Sequence, residues 1–204
     1  KTLAGGNPME KKKAAVYEYY VTKCDQNYWL DFDDLLLKTV YLLKQSANTR
    51  MKWQKRFQYL HIDEFQDVDH VQYKLIKLLK SKTNSVLVVG DPDQTIYTWR
   101  GADVNIILNF EKDFAPCETI VLNENYRSTP SIVKGANALI SNNQYRVDKE
   151  LVTNQEDLQK IQHIQLESED AESRWIANKL AELSRNNVPY KDCAILYRSN
   201  YLSR

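Results

Sequence analysis

Apolar side chains along this chain recur with two alternating periods, and this pattern predicts an alternation of helices and strands. The clearest helical pattern lies in DFDDLLLKTVYLLKQ, residues 31–45. Its apolar positions share one helical face: Phe32, Leu35, Leu36, Val40 and Leu43. Asp31 and Asp34 open the segment, and carboxylates stabilise the amino end of a helix, so their predicted role is capping.

The remaining elements follow the same alternation. Strands are predicted at QYLHID, SVLVVGD, TIVLNE, IQHIQLE and CAILYRS. The second of these is expected to be fully buried, because its apolar residues are consecutive. Helices are predicted over about 14–24, 71–80, 129–143 and 168–186, the second of them opened by Asp69. The alternation indicates the α/β class.

A polar segment without periodicity, KELVTNQEDLQK, places a domain boundary near residue 150. The β-α-β piece that follows is too small to close a domain alone.

Composition narrows the class of protein. The chain has 204 residues, 43% of them apolar, with 28 Lys and Arg against 27 Asp and Glu, so net charge does not indicate a nucleic-acid partner. Its three cysteines have no paired spacing, which argues against a disulfide framework or a zinc site and favours a reducing compartment. No apolar run approaches the roughly 20 residues of a membrane span. We expect a cytoplasmic protein without a membrane partner.

Polar side chains cluster at or just beyond the carboxyl ends of three predicted strands, in DEFQD, GDPDQTIYTWRGA and NENYRS. Open α/β sheets bind ligands at this edge, and adjacent carboxylates such as Asp63 and Glu64 commonly serve a divalent cation. Each cluster also has a structural interpretation. The acid pair can cap a helix, and GDPDQ can be a proline-containing turn. Tyr97 and Trp99 can be core aromatics, and Arg127 can belong to a surface ion pair. Three clusters on one rim of one sheet predict a site.

The order and spacing of these motifs resemble the UvrD, Rep and PcrA-like superfamily 1 DNA helicases. The matching strings are DFDDLL, IDEFQDVDHVQY, VGDPDQTIYTWRGAD, LNENYRST and CAILYRSN. Because they keep the family's order and spacing, the resemblance covers nearly the whole chain after about residue 14. The resemblance implies an ATP-driven motor with paired RecA-like domains, each a parallel sheet flanked by helices. It implies that 1–30 end an insertion subdomain and a connecting helix, 31–150 form the C-terminal part of an incomplete first motor domain, and 151–204 begin the second.

The resemblance also implies a role for each matching residue, with ATP and Mg²⁺ as cofactors. Asp63 is expected to bind Mg²⁺, and Glu64 to be the general base that orients and deprotonates the attacking water. Gln94 is expected to sense the γ-phosphate. Arg127 matches the arginine finger, and Tyr126 matches the tyrosine that stacks on adenine.

Three further residues match the DNA-contacting positions of the family: Tyr97, Trp99 and Arg100. Stacking of a base on an aromatic ring is worth about 1 to 3 kcal/mol and needs no sequence preference. Arg100 either touches the strand or couples it to the acid pair. The implied partners are single-stranded DNA and duplex junctions, with unwinding in the 3′ to 5′ direction.

A phosphate-binding loop of the form Gly-x-x-x-x-Gly-Lys-Ser/Thr is missing from the 204 residues. The family's loop is expected upstream of Lys1 and its later motifs downstream, so this chain alone is expected to be inactive. Two main functions remain open: the central part of an ATP-dependent DNA helicase, or a non-catalytic module that binds single-stranded DNA or nucleotide weakly. Another magnesium-dependent phosphotransferase or nuclease would leave the aromatics unexplained.

Overall fold

The computed structural model describes residues 7–144, 146–156 and 160–198 of the chain. The chain divides into two compact units, residues 1–155 and residues 156–204. The predicted boundary near 150 lies close to this division.

Three helices open the first unit: α1 (Pro8–Asn27), α2 (Phe32–Gln45) and α3 (Ala47–Arg56). Asp31 caps α2 as predicted, because its Oδ1 accepts the backbone N–H of Asp34 at 2.7 Å. Helix α1 is longer than the predicted 14–24, since the Asn7 side chain caps its start and Tyr28 ends it in the left-handed conformation, at φ 56°.

Two parallel strands, β1 (Tyr59–Ile62) and β2 (Ser85–Val88), lie side by side. Helix α4 (His70–Leu79) connects them, as the alternating pattern predicts. Asp69 caps α4 in a reciprocal arrangement: its Oδ1 accepts the N–H of Gln72 at 2.9 Å, and its own N–H donates to the Gln72 side chain at 3.0 Å. The two strands end at the same edge of the sheet.

The core of the first unit lies on one face of these strands. Phe65 is fully buried and meets Phe110 edge to face, with ring centroids 5.3 Å apart. Two short helices close this side: α5 (Val104–Leu108) and α6 (Phe110–Asp113). The other buried members of the cluster are Val68, Tyr73, Ile76 and Ile106.

The prediction that SVLVVGD is fully buried is wrong. Val86 and Val88 pack against the core, but Leu87 on the opposite face is 53% exposed. Side chains alternate between the faces of a strand, and no element of the described chain covers the second face. A run of apolar residues therefore overstated the burial of this strand.

The predicted strand TIVLNE does not form. A strand forms only where it can hydrogen-bond to a neighbouring strand, and among the described residues this segment makes one isolated parallel bridge, between Glu124 and Val152. The N–H of Asn125 donates to the carbonyl of Val152 at 2.7 Å. Helix α7 (Pro130–Ile140) follows and is shorter than the predicted 129–143.

The second unit contains one long helix, α8 (Glu169–Arg185). Its predicted bounds were 168–186, and Ser168 caps it by accepting the N–H of Ala171 at 3.2 Å. The predicted strands IQHIQLE and CAILYRS are wrong as far as they are described, because residues 161–167 and 193–198 form no strand. Ser199, the last residue of the second segment, lies outside the described residues. Among the described residues, no helix has the length and apolar character needed to cross a membrane.

Candidate functional site

Asp63 and Glu64 follow β1 directly, and both carboxylates are exposed at the carboxyl edge of the sheet. The backbone N–H of Glu64 donates to Asp63 Oδ1 at 2.9 Å. Glu64 has φ 49° and ψ 43°, a left-handed conformation that is uncommon for a residue with a side chain. This turn sets the two adjacent carboxylates at the strand end.

The loop after β2 lies against this turn. The N–H of Phe65 donates to the carbonyl of Val89 at 2.9 Å, and the N–H of Val89 donates to the carbonyl of Ile62 at 2.8 Å. The structure therefore brings the DEFQD and GDPDQ segments together, at the edge where the sequence places both.

A buried amide, Gln66, joins the two segments through its side chain. Only 2% of Gln66 is exposed. Its Nε2 donates to Glu64 Oε2 at 2.8 Å, and its Oε1 accepts the N–H of Asp91 at 3.0 Å. Sequence reasoning missed this residue, although an uncharged amide between two acids in DEFQD was a signal.

Gln94 lies in the same network. Its Nε2 donates to Asp91 Oδ2 at 2.8 Å, while Lys149 donates to Asp91 Oδ1. Burial alone would raise the pKa of Asp91, but the hydrogen bonds from Lys149 and Gln94 outweigh burial and bring that pKa below its ordinary value. Hydrogen bonds thus run from Glu64 through Gln66 and Asp91 to Gln94.

A buried ion cluster holds this loop to the segment after α7. The Asp93 side chain is 4% exposed and lies 3.9 Å from Arg146 Nε and 3.8 Å from Lys149 Nζ. Asp93 Oδ2 makes no hydrogen bond with a described residue. Sequence reasoning missed Arg146 and Lys149, because they lie in a segment without periodicity.

The three predicted DNA-contacting residues form one exposed cluster. Trp99 is 72% exposed and Tyr97 is 38% exposed, so neither is a core residue of this chain. Their ring centroids are 6.2 Å apart. The Arg100 guanidinium lies 4.6 Å from the Trp99 centroid and 5.4 Å from the Tyr97 centroid, in cation–π geometry.

Tyr126 and Arg127 are exposed on the segment before α7. The Tyr126 hydroxyl donates to Glu124 Oε2 at 2.6 Å, and this hydrogen bond to a carboxylate raises the pKa of the tyrosine. The Arg127 backbone N–H donates to Asn125 Oδ1 at 3.0 Å. Within the part of the chain that the structure describes, no hydrogen bond or ion pair connects these two side chains to Asp63, Glu64 or Gln94.

Comparison with known protein families decides the class of protein. The model of the UvrD/REP helicase N-terminal domain matches residues 1–115, which is more than half of the chain. The chain belongs to the UvrD/REP helicase family. The model of the UvrD-like helicase C-terminal domain matches residues 120–204.

Curated proteins that are similar to this chain are named as DNA helicases. A probable DNA helicase II homolog of Mycoplasma capricolum is 43% identical over 202 residues, covering 99% of this chain and 28% of the relative. The ATP-dependent DNA helicase PcrA of Staphylococcus aureus is 44% identical over 191 residues, covering 94% of this chain and 26% of the relative. The corresponding PcrA of Staphylococcus epidermidis is 42% identical. The chain spans about a quarter of the length of these helicases.

The acid pair of this UvrD/REP family chain suits a cation that is shared with phosphate oxygens. The described residues contain no group of three or more His, Cys, Asp or Glu side chains able to hold a metal ion alone. Mg²⁺ does not require such a group, because it binds through one or two carboxylates together with water and phosphate. Asp63 fits this donor set, since it is exposed and its Oδ1 accepts one backbone N–H.

Proposed function

We propose that this chain is the central part of an ATP-dependent DNA helicase, which couples ATP hydrolysis to movement along single-stranded DNA and to duplex unwinding. The observation that carries the proposal is the hydrogen-bonded path from Glu64 through Gln66 and Asp91 to Gln94. It lies at the carboxyl edge of two parallel strands, and the exposed Trp99 follows on the same loop. The names of the helicase relatives support the same activity.

In the proposed reaction, Glu64 takes a proton from water as the water oxygen forms a bond to the γ-phosphorus. The bond between the γ-phosphorus and the bridging oxygen breaks, and ADP and phosphate leave. Gln94 orients the water or contacts the γ-phosphate, and its hydrogen bond to Asp91 holds it at the edge. Mg²⁺, held by Asp63, would neutralise developing charge on the phosphates.

Two exposed side chains on the segment before α7 complete the proposed nucleotide site. Tyr126 offers a ring that is 74% exposed for stacking on adenine. Arg127 offers a planar guanidinium that suits bidentate contact with phosphate. The Tyr126 hydroxyl bonds the nearby Glu124, and neither side chain has a described hydrogen bond to Asp63, Glu64 or Gln94. We therefore propose that nucleotide binding brings both side chains to the edge of the sheet.

The DNA side of the proposal rests on Tyr97, Trp99 and Arg100. Two adjacent exposed rings can stack on bases of any sequence. The guanidinium of Arg100 lies over both rings and adds positive charge beside the nucleic-acid backbone. Single-stranded DNA and duplex junctions are the proposed partners, with 3′ to 5′ movement and a cytoplasmic location.

We also propose that the sheet is part of a larger, RecA-like sheet in the whole protein. Tyr59, Leu87 and Val89 leave one apolar face of the sheet exposed, and in a RecA-like sheet flanked by helices we expect further chain to cover this face. The proposed division of the chain remains 1–30, 31–150 and 151–204.

The test is phosphate release by the full-length protein that contains this chain, with Mg²⁺ and with or without oligo-dT. Glu64→Gln is expected to lower the DNA-stimulated rate about 10²-fold or more, since it removes the general base. Glu118→Gln changes an exposed acid outside the network and is the matched control, expected within twofold of the natural protein. Turnover that survives in Glu64→Gln would refute the catalytic role, and DNA binding without any turnover would favour the non-catalytic module.

A further inference from the structure

Gln66 is a buried polar side chain whose two ends serve different segments. Its Nε2 points to the carboxylate of Glu64, and its Oε1 points to the backbone of the loop after β2. Burying an amide costs free energy unless its hydrogen bonds are made, and both of these bonds are made here. We infer that Gln66 is a positioning residue, which fixes the Glu64 carboxylate relative to the loop that carries Gln94.

The chemistry of the two partners determines how the amide is oriented. A carboxylate accepts hydrogen bonds and a backbone N–H donates them, so only the orientation with Nε2 on Glu64 and Oε1 on Asp91 satisfies both. An isosteric Glu at position 66 would keep the bond from Asp91 and would set a second carboxylate against Glu64. An apolar Met of similar length would lose both bonds.

Gly90 leaves space that the Gln66 amide occupies. A Cβ at Gly90 would lie 2.7 Å from Gln66 Oε1 and 3.0 Å from the backbone nitrogen of Phe65. A residue with a side chain at position 90 would therefore push against the amide or against the backbone of Phe65. The position of the loop and the position of Glu64 are therefore set by one side chain.

This inference rests on the proposed function, because Gln66 acts on the reaction only through Glu64. A misplaced general base lowers the rate of the chemical step without weakening substrate binding. The expected signature is a lower kcat with an unchanged KM for ATP. A merely structural role for Gln66 would instead lower stability without this split.

The experiment measures kcat and KM for ATP of the full-length protein with saturating oligo-dT, for Gln66→Glu, Gln66→Met and the natural protein. Gln66→Glu is expected to lower kcat about 10- to 100-fold with KM for ATP changed less than twofold, on the scale of a misplacement of about 1 Å. Gln66→Met is expected to lower kcat as well. Hydrogen exchange at the Asp91 amide is expected to stay slow in Gln66→Glu and to become faster in Gln66→Met.

Gln54→Met is the matched control. The Gln54 Nε2 also makes two hydrogen bonds, at 2.8 Å to the carbonyl of Leu78 and 3.0 Å to that of Lys80, but it lies outside the site. It is expected to lose stability and to keep kcat within twofold. Equal losses of kcat in Gln54→Met and Gln66→Met, or a Gln66→Glu protein with natural kcat, would overturn the inference.

Glu64→Gln in the same assay separates the two proposals. If Glu64→Gln abolishes turnover while Gln66→Glu keeps it, only the positioning role fails. If Glu64→Gln keeps natural turnover, the proposed catalytic site itself fails.

Discussion

At the residue scale, the backbone of Glu64 is the least ordinary feature of the site. A residue with a side chain in the left-handed region is disfavoured by roughly 1 to 2 kcal/mol, and such strain gathers at functional sites. The strain is consistent with a turn whose role is to position the Glu64 carboxylate. Stability alone would favour glycine at this position.

We therefore expect Glu64→Gly to be more stable than Glu64→Ala by about 1 kcal/mol, because glycine adopts this conformation without steric cost. Both variants lose the hydrogen bond from Gln66, so the comparison isolates the backbone. Urea unfolding of the two proteins at pH 7 measures the difference. Equal free energies of unfolding would show that the turn carries no strain.

Trp99 allows a second prediction at this scale. Trp99→Ala is expected to weaken binding to oligo-dT by about 1 to 3 kcal/mol, and Trp99→Phe to retain much of the affinity because it keeps an aromatic face. The measurement is a titration followed by anisotropy of a labelled oligonucleotide. The same affinity in all three proteins would exclude base stacking at Trp99.

At the element scale, the sequence predicted the helices and strands that depend on interactions between residues close together in the chain. Asp31 and Asp69 marked the starts of α2 and α4, and short apolar runs located β1 and β2. The strand expected at TIVLNE failed because pairing depends on a neighbouring edge that a sequence window does not contain.

The sequence likewise predicted only some residues of the site. Asp63, Glu64 and Gln94 were expected at one edge from their order after strands, and the structure places them there. Gln66 and Lys149 were missed because their contacts with Asp91 join residues 25 and 58 positions apart. Contacts between residues so far apart in the chain produce no periodic pattern in the sequence.

The ion cluster around Asp91 predicts a dependence of stability on pH. The pKa of Asp91 is lowered in the folded chain, so its contribution is fully present above the unfolded pKa of about 3.9 and is lost as pH falls through the folded pKa. Lys149→Met removes the main cation, so it should destabilise the chain at pH 7 by about 1 to 3 kcal/mol. It should also reduce the further loss of stability that follows as the pH falls below about 4.

Urea unfolding at several pH values measures both effects. Lys13→Met is the control, because the ion pair of Lys13 with Glu10 is exposed and worth little. A Lys149→Met protein as stable as the control at pH 7 would contradict a stabilising role for the cluster.

At the scale of the whole molecule, the two units predict where the chain is cut. The segment 146–155 is tied to the first unit, for example by the Asn137 side chain, which bonds the N–H and the carbonyl of Leu151. Trypsin is therefore expected to cleave after Lys160 before it cleaves after Lys149, whose side chain is 13% exposed. Mass spectrometry of early fragments decides between them, and first cleavage after Lys149 would mean that the segment is not anchored.

The most direct test of the proposed helicase function is ATP-dependent unwinding by the full-length protein that contains this chain. The substrates are duplexes with a single-stranded tail at the 3′ or the 5′ end, and the proteins are the natural one, Glu64→Gln and Glu118→Gln. We expect the natural protein and Glu118→Gln to unwind the 3′-tailed duplex, and Glu64→Gln to bind it without unwinding it. Unwinding by Glu64→Gln at the natural rate would contradict the proposal that Glu64 is the general base of a helicase.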